Sequence, residues 1–107
     1  MIARLWHGRT PAAKADSYLE FLERRAIPDY ESIPGNRGAY VLRRIEGDTA
    51  HFLTMSLWES LEAIEAFAGA DPEKAKYYPE DAKFLLELEP SVRHYECASG
   101  ADRREAT

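Results

Sequence analysis

Cysteine is almost absent from this 107-residue sequence, in which Cys97 is the only one. An internal disulfide is therefore impossible, and a zinc site built from several cysteines is excluded. Such sparse cysteine use suits a reducing compartment. No apolar run reaches the length of a membrane span, and the first residues show no basic stretch followed by an apolar one. We therefore expect a soluble, cytoplasmic protein without a membrane partner.

A clustered positive charge is also missing. The net charge is −5, and lysine and arginine are scattered rather than arranged in a stripe. The one dibasic pair inside the fold, Arg43-Arg44, would point to opposite faces of a strand. A nucleic-acid partner is therefore not expected. The chain has no glycine-rich phosphate loop, dinucleotide fingerprint or Gly-x-Ser-x-Gly nucleophile motif either, which argues against those three enzyme classes.

What the sequence does contain is an ordinary globular balance, with 45% hydrophobic and 31% charged residues. This length fits one domain, and its core must be thin because a short chain buries only about two-thirds of its unfolded surface. We expect the domain to span residues 1–97. Residues 98–107 are small and charged, and they predict a flexible C-terminal tail.

Hydrophobic periodicity predicts the order strand, helix, strand, strand, helix, strand. Thr10-Pro11 resembles a helix start, Pro28 a helix stop, and Ser60 the cap of a second helix. A short third helix is predicted at residues 74–78, ended by Pro79. The predicted strands are Ile2–Arg9, Gly38–Ile45, Thr49–Trp58 and Ser91–Cys97. Two such units predict an α+β, ferredoxin-like βαββαβ fold, with a four-stranded antiparallel sheet and both helices on one face.

The other face of this sheet is predicted to be apolar as well. Along residues 49–58, one alternating set contains Leu53, Met55 and Leu57, while the other contains Phe52 and Trp58. A bare apolar face of several hundred square ångströms is unusual on a monomer. A second copy related by a two-fold axis is the simplest cover, so we expect a homodimer through the sheet face. The alternative is a monomer with scattered surface hydrophobics.

The segment Ser56-Leu57-Trp58-Glu59-Ser60, followed by Ala63 and Phe67, resembles the Trp-x-Ser segment and helix of antibiotic-biosynthesis-monooxygenase domains. The turn Pro34-Gly35-Asn36 also lies where those domains carry a Pro-Gly turn. The resemblance covers residues 2–97 and implies a dimeric α/β barrel. The family includes cofactor-free oxygenases of polycyclic phenols, haem-degrading enzymes and many small proteins without known activity.

The haem-degrading branch carries an Asn on the first strand, a Trp in the second long helix and a His ten residues beyond it. Those positions hold His7, Phe67 and Tyr77 here. All three differ, so haem degradation is disfavoured. A three-histidine metal site is not expected either, since His7, His51 and His94 would all have to share one face of the sheet.

The oxygenase branch instead implies a small phenol or hydroquinone that is deprotonated and then reacts with O₂, without a cofactor. His7 is the candidate base and Arg4 the candidate oxyanion partner. Strand alternation, however, places Trp6 on the face of Arg4 and His7 on the opposite one. The predicted substrate-binding residues are Trp6, Tyr77, Tyr78 and Trp58, although packing alone would also explain each of these aromatic side chains. The alternative function is a non-catalytic dimer of the same fold that binds a small hydrophobic molecule or has a structural role.

Overall fold

Strands and helices alternate along the chain in the computed structural model, which describes residues 1–101. Residues 102–107 of the predicted tail lie outside this range. None of the helices within it is both long and apolar enough to cross a lipid bilayer. The strands are β1 (Ile2–Pro11), β2 (Asn36–Glu46), β3 (Thr49–Trp58) and β4 (Arg93–Glu96), and the α-helices are α1 (Ala15–Phe21), α2 (Ile27–Glu31) and α3 (Leu61–Ala68).

The four strands form one antiparallel sheet in the order β2-β3-β1-β4. The long β1 pairs with β3 along its whole length, and β4 pairs only with its first half. This order is the one expected when two strand-helix-strand units interlock with right-handed crossovers. The α+β fold and its ferredoxin-like sheet are therefore confirmed.

The helices cover one face of the sheet, and the core lies beneath them. Along β3 the burial alternates at every residue, from half-buried His51 to buried Phe52 and so on to Trp58. The side chains on the covered face of β1 and β3 are Arg4, Trp6, Thr10, Ala50, Phe52, Thr54, Ser56 and Trp58. The uncovered face, called the open face below, carries Leu5, His7, Tyr40, Leu42, Arg44, His51, Leu53, Met55, Leu57, Arg93 and Tyr95.

The first helical stretch runs past Pro28, contrary to the sequence prediction that it stops there. A π-helical turn, Leu22–Ala26, connects α1 to α2, and the Ile27 N–H donates to the Leu22 carbonyl. The wider turn directly precedes Pro28, the second residue of α2, and accommodates a proline within a continuous helical stretch. Tyr30 is consequently carried over the sheet, where it is buried.

Two further predictions about local structure are wrong. Thr10 does not cap a helix, because Pro11 still pairs with Thr49 and the Thr10 hydroxyl donates to the Pro11 carbonyl at 3.0 Å. Residues 74–78 form no helix, and Pro79 begins the 3-10 helix Pro79–Lys83 instead of ending a helix. The isolated bridge of Lys74 with Ser91 holds this region extended, which intrinsic helix propensity alone could not reveal.

Gly35 fixes the turn that leads into β2. Its φ of +93° lies in the region that favours glycine, and its carbonyl accepts a hydrogen bond from the Glu59 N–H at 2.9 Å. A Cβ on Gly35 would lie 2.7 Å from Cβ of Ala63 on α3. The turn therefore packs directly against α3, whose N-terminus is capped as predicted by Ser60, which accepts from the Ala63 N–H at 3.2 Å.

Gly35→Ala is expected to lower the free energy of unfolding by about 2–4 kcal/mol, since backbone strain and overpacking add. Gly47→Ala is the matched control: its φ is +60° and nothing lies within 4 Å of the added Cβ. That variant should lose only about 1 kcal/mol. Urea denaturation of both variants measures the difference, and equal losses would contradict the close contact with α3.

Candidate functional site

A narrow cavity lies between the covered face of the sheet, the α1–α2 stretch and the chain that follows α3. Its free volume is about 20 Å³, room for about one water molecule. Four of its lining side chains are aromatic, and two are charged. The lining consists of Trp6, Tyr18, Leu22, Ala26, Tyr30, Thr54, Lys76, Tyr78 and Asp81.

Asp81 is the buried carboxylate of this cavity. The Tyr18 hydroxyl donates to its Oδ1 at 2.8 Å, and the backbone N–H of Tyr78 donates to its Oδ2 at 2.7 Å. Burial raises the pKa of Asp81 above its ordinary range, and these two hydrogen bonds only partly oppose that effect. A carboxylate with a raised pKa is a stronger base, so Asp81 is chemically suited to accept a proton from a bound molecule.

The chain between α3 and β4 covers the cavity, and Asp29 bonds this cover to the helical layer. Its Oδ2 accepts from the Lys76 ammonium at 2.9 Å and from the Tyr78 hydroxyl. Burial alone would raise the pKa of Asp29, but the hydrogen bonds from Tyr78 and Lys76 and the nearby positive charges outweigh it and lower this pKa overall. Lys76 Nζ also lies 4.3 Å from the centre of the Phe67 ring. Asp29 on α2 therefore accepts two hydrogen bonds from this cover.

The two predicted catalytic residues lie on opposite faces of β1, as the alternation of the strand implies. Arg4 points under the helices together with Trp6, and both are buried. His7 points to the open face and is half-buried. The two side chains therefore cannot act on one small substrate within a single copy of the chain, and their catalytic roles stay predictions.

On the open face, His7 belongs to a small polar cluster. Its Nδ1 lies 2.6 Å from Oε2 of Glu89, and its Nε2 lies 3.3 Å from Nδ1 of His51. A concavity of about 330 Å³ adjoins both histidines. His94 lies on the covered face opposite Arg4, so the three histidines do not converge. Within residues 1–101, no group of three or more histidine, cysteine or acidic side chains could hold a metal ion.

The predicted aromatic residues separate into different places. Trp6 and Tyr78 line the cavity, whereas Tyr77 packs edge-on against Trp6 with ring centres 6.1 Å apart and donates to the Glu89 carbonyl. Trp58 is fully buried away from the cavity lining, and its Nε1–H donates to Ser56 Oγ at 2.8 Å. Its surroundings are those of a core anchor, and contact of Trp58 with a substrate stays a prediction.

Sequence reasoning missed Asp81, Tyr18, Tyr30 and Lys76 as cavity residues. Tyr18 carries only an apolar helical signal. Tyr30 lies beyond the predicted helix stop at Pro28, and the π-helical turn that orients it has no sequence signature. Asp81 lies in a Tyr-Pro-Glu-Asp stretch, where an acidic residue at the third helical position could have indicated a capping carboxylate.

Tyr78→Phe is expected to lower the free energy of unfolding by about 1–2 kcal/mol at pH 7, because it removes a hydrogen bond to a charged carboxylate. The lowered pKa of Asp29 stabilises the fold above the unfolded-state pKa, and this contribution is lost as pH falls through the folded-state pKa. The deficit of the variant should therefore shrink in acid. Urea denaturation at a series of pH values from 7 down to 2 measures it, and Tyr77→Phe, whose hydroxyl donates to a neutral carbonyl, should show a pH-independent deficit.

Three solved structures that share this fold are described in different ways. A Bacillus cereus protein, provisionally assigned as an antibiotic biosynthesis monooxygenase, is 15% identical and has a TM-score of 0.66, with 98% of each chain covered. NE2512 from Nitrosomonas europaea, of unknown function, is 13% identical with a TM-score of 0.67, covering 97% of this chain and 95% of the other. The haem degrader MhuD from Mycobacterium tuberculosis, with two haems bound in its active site, is 20% identical with a TM-score of 0.60, covering 95% and 100%.

Sequence identities this low show that the fold is shared, and they show nothing about function. The expectation that haem degradation is disfavoured finds no support in them, since a haem degrader is among the structures that share the fold. No curated protein matches the chain significantly. The family model described as antibiotic biosynthesis monooxygenase matches residues 1–77, which is most of the chain. This protein therefore belongs to the antibiotic biosynthesis monooxygenase family.

Proposed function

We propose that this protein oxygenates a small phenol or hydroquinone, which it binds in the cavity between the sheet and the helices. The observation that carries the proposal is Asp81, a buried carboxylate with a raised pKa that lines an aromatic cavity. Family membership supports the reaction class. Trp6 and Tyr78, both proposed substrate-binding residues, form part of the same wall.

In the proposed reaction, Asp81 accepts the proton of the substrate hydroxyl, and the electron-rich anion then reacts with O₂. One oxygen atom enters the substrate, and the other leaves as water with two hydrogen atoms from the substrate, which is the reductant. Lys76 is a positive group on the same lining and stabilises the negative charge that develops on oxygen. His7, the base suggested by the sequence, is replaced in this role by Asp81.

A substrate needs more space than the present cavity offers, so the cover must move. The cover is the chain between α3 and β4, and its only helical segment is the 3-10 helix Pro79–Lys83. Lys76 and Tyr78 attach it to Asp29 by two hydrogen bonds. Weakly structured segments of this kind open at low free-energy cost, and we propose that such opening admits the substrate.

The second candidate function is a non-catalytic dimer with a structural role. The small free volume of the cavity favours it, because a filled interior is typical of a structural role. The two functions differ in one measurable respect, since only the first consumes oxygen.

We also propose that two copies pair through their open faces. Tyr40, Leu42 and Tyr95 are about half exposed on this face, next to half-buried Leu53 and Met55. An apolar sheet face of this extent is normally covered, and a two-fold axis would place the same residues of both copies in contact. A cytoplasmic location accords with the exposed free thiol of Cys97.

Oxygen uptake with a panel of hydroquinones and anthrones tests the enzymatic proposal. We expect uptake by the wild type and a loss of about 10²- to 10⁴-fold in Asp81→Asn, because the general base is removed. His7→Ala should retain wild-type uptake, since His7 lies on the opposite face of β1. Absence of uptake with every compound would refute the oxygenase, and a haem titration that yields a bound Soret spectrum and haem loss would support the haem branch instead.

Sedimentation velocity at micromolar concentration tests the pairing. The wild type should sediment as a dimer, and Leu42→Glu should sediment as a monomer because a charge would be buried at the contact. Leu61→Glu on α3 is the matched control, since Leu61 is 45% exposed and Leu42 is 46% exposed. It should remain dimeric. A monomeric wild type contradicts the proposal.

A further inference from the structure

Arg4 is a buried positive charge for which residues 1–101 provide no acidic partner. Its side chain is 1% exposed, and none of the ion pairs in this part of the chain includes it. The guanidinium donates from Nη2 to the Lys74 carbonyl at 3.2 Å, interacts with the Tyr30 hydroxyl, and lies 5.4 Å from the centre of the Phe67 ring. Its Nε has no partner among the described residues.

Such an arrangement is unfavourable for a protein that has no ligand. A buried charge loses its hydration, and only an opposite charge with good hydrogen bonds compensates for that loss. Burial indeed lowers the pKa of Arg4. A protein of this size, with a thin core, gains nothing in stability from an uncompensated guanidinium at the centre of its sheet.

Two neighbouring nitrogen atoms are equally without partners. His94 on β4 lies opposite Arg4 in the strand register, and its buried Nε2 has no hydrogen bond within residues 1–101. Trp6 follows Arg4 by two residues on the same face of β1, about 6.6 Å along the strand, and its buried Nε1 also lacks a partner there. Two unpaired nitrogens, Arg4 Nε and His94 Nε2, therefore belong to directly opposed residues on the covered face, and Trp6 lies two residues further along β1.

We propose that Arg4, together with His94 and Trp6, forms an anion subsite that takes the carboxylate of an aromatic hydroxy acid. This inference rests on the proposed function and narrows its substrate class. The parallel N–H donors of the Arg4 guanidinium match the geometry of a carboxylate, which can accept two parallel hydrogen bonds. Arg4 and His94 lie outside the lining of the present cavity, so the carboxylate reaches them only when the chain between α3 and β4, which includes Lys74, moves as proposed above.

The charges also fix the orientation of the ligand. Trp6 lines the cavity together with Asp81 and lies two residues from Arg4 on the same face of β1. In the proposed complex the aromatic ring packs against Trp6, between Arg4 and Asp81. The Asp81 carboxylate repels the acid group of the ligand and accepts the proton of its hydroxyl. The acid end therefore points to Arg4, and the hydroxyl end points to Asp81.

Tryptophan fluorescence titrations with 2,5-dihydroxybenzoate and its neutral methyl ester test the subsite. Wild type should bind the acid about 10- to 100-fold more tightly than the ester, as charge-assisted hydrogen bonds imply. Arg4→Met should lose this preference. Arg24→Met, which removes an exposed arginine paired only with Glu20, should retain it. Equal binding of acid and ester by the wild type, or an unchanged preference in Arg4→Met, overturns the proposal.

Thermal melting separates this role from a structural one. Without ligand, Arg4→Met should melt no lower than the wild type, because an apolar side chain replaces an unpaired buried charge. Excess 2,5-dihydroxybenzoate should raise the melting temperature of the wild type and of Arg24→Met, but not that of Arg4→Met. A much lower melting temperature for Arg4→Met without ligand would show that Arg4 is structural. If Arg4→Met fails to fold, Arg4→Lys keeps the charge and should bind the acid more weakly than the wild type does; undiminished binding overturns the subsite.

The oxygen assay keeps this inference distinct from the proposed function. Arg4-dependent binding of the acid without any oxygen uptake would leave the subsite in place and remove the oxygenase. Oxygen uptake with neutral hydroquinones, but without a preference for the acid, would leave the oxygenase in place and remove the subsite.

Discussion

The two-residue alternation of the central strand β1 is the constraint on which the rest of this structure depends. Because β1 pairs with β3 on one side and with β4 on the other, it cannot rotate or slip without exposing the core. The alternation sends Arg4 and Trp6 beneath the helices and His7 to the open face. One strand thus supplies polar groups to two separate chemical environments within one copy of the chain.

Most of the fold followed from sequence patterns, whereas most of the site did not. The bounds of β3 and the capping of α3 by Ser60 were predicted correctly because they depend on local periodicity and capping chemistry. The separation of His7 from Arg4 followed from the same periodicity. Asp81 and Lys76 come from the irregular chain after α3, and tertiary contacts alone determine where such residues point.

The covered face concentrates polar side chains where a small protein can least accommodate them. Asp81 and Arg4 are both buried, yet they belong to separate hydrogen-bond groups: Asp81 with Tyr18, and Arg4 with the Lys74 carbonyl. Hydrophobic residues in place of Asp81 and Arg4 would increase the stability of the core. Retention of such groups is typical of functional sites, at which stability is traded for chemistry, and pairing through the open face would offset the loss.

The π-helical turn between α1 and α2 has a consequence for how the sequence of this protein can vary in length. Each residue turns a helix by about 100°, so the register downstream of Leu22–Ala26 depends on the number of residues in the turn. One residue fewer would swing Tyr30 away from Thr54, to which it is hydrogen-bonded at 3.0 Å, and would place a neighbouring side chain in the cavity wall. Deletion of Glu23, Arg24 or Arg25, none of which lines the cavity, would therefore change the shape of the cavity.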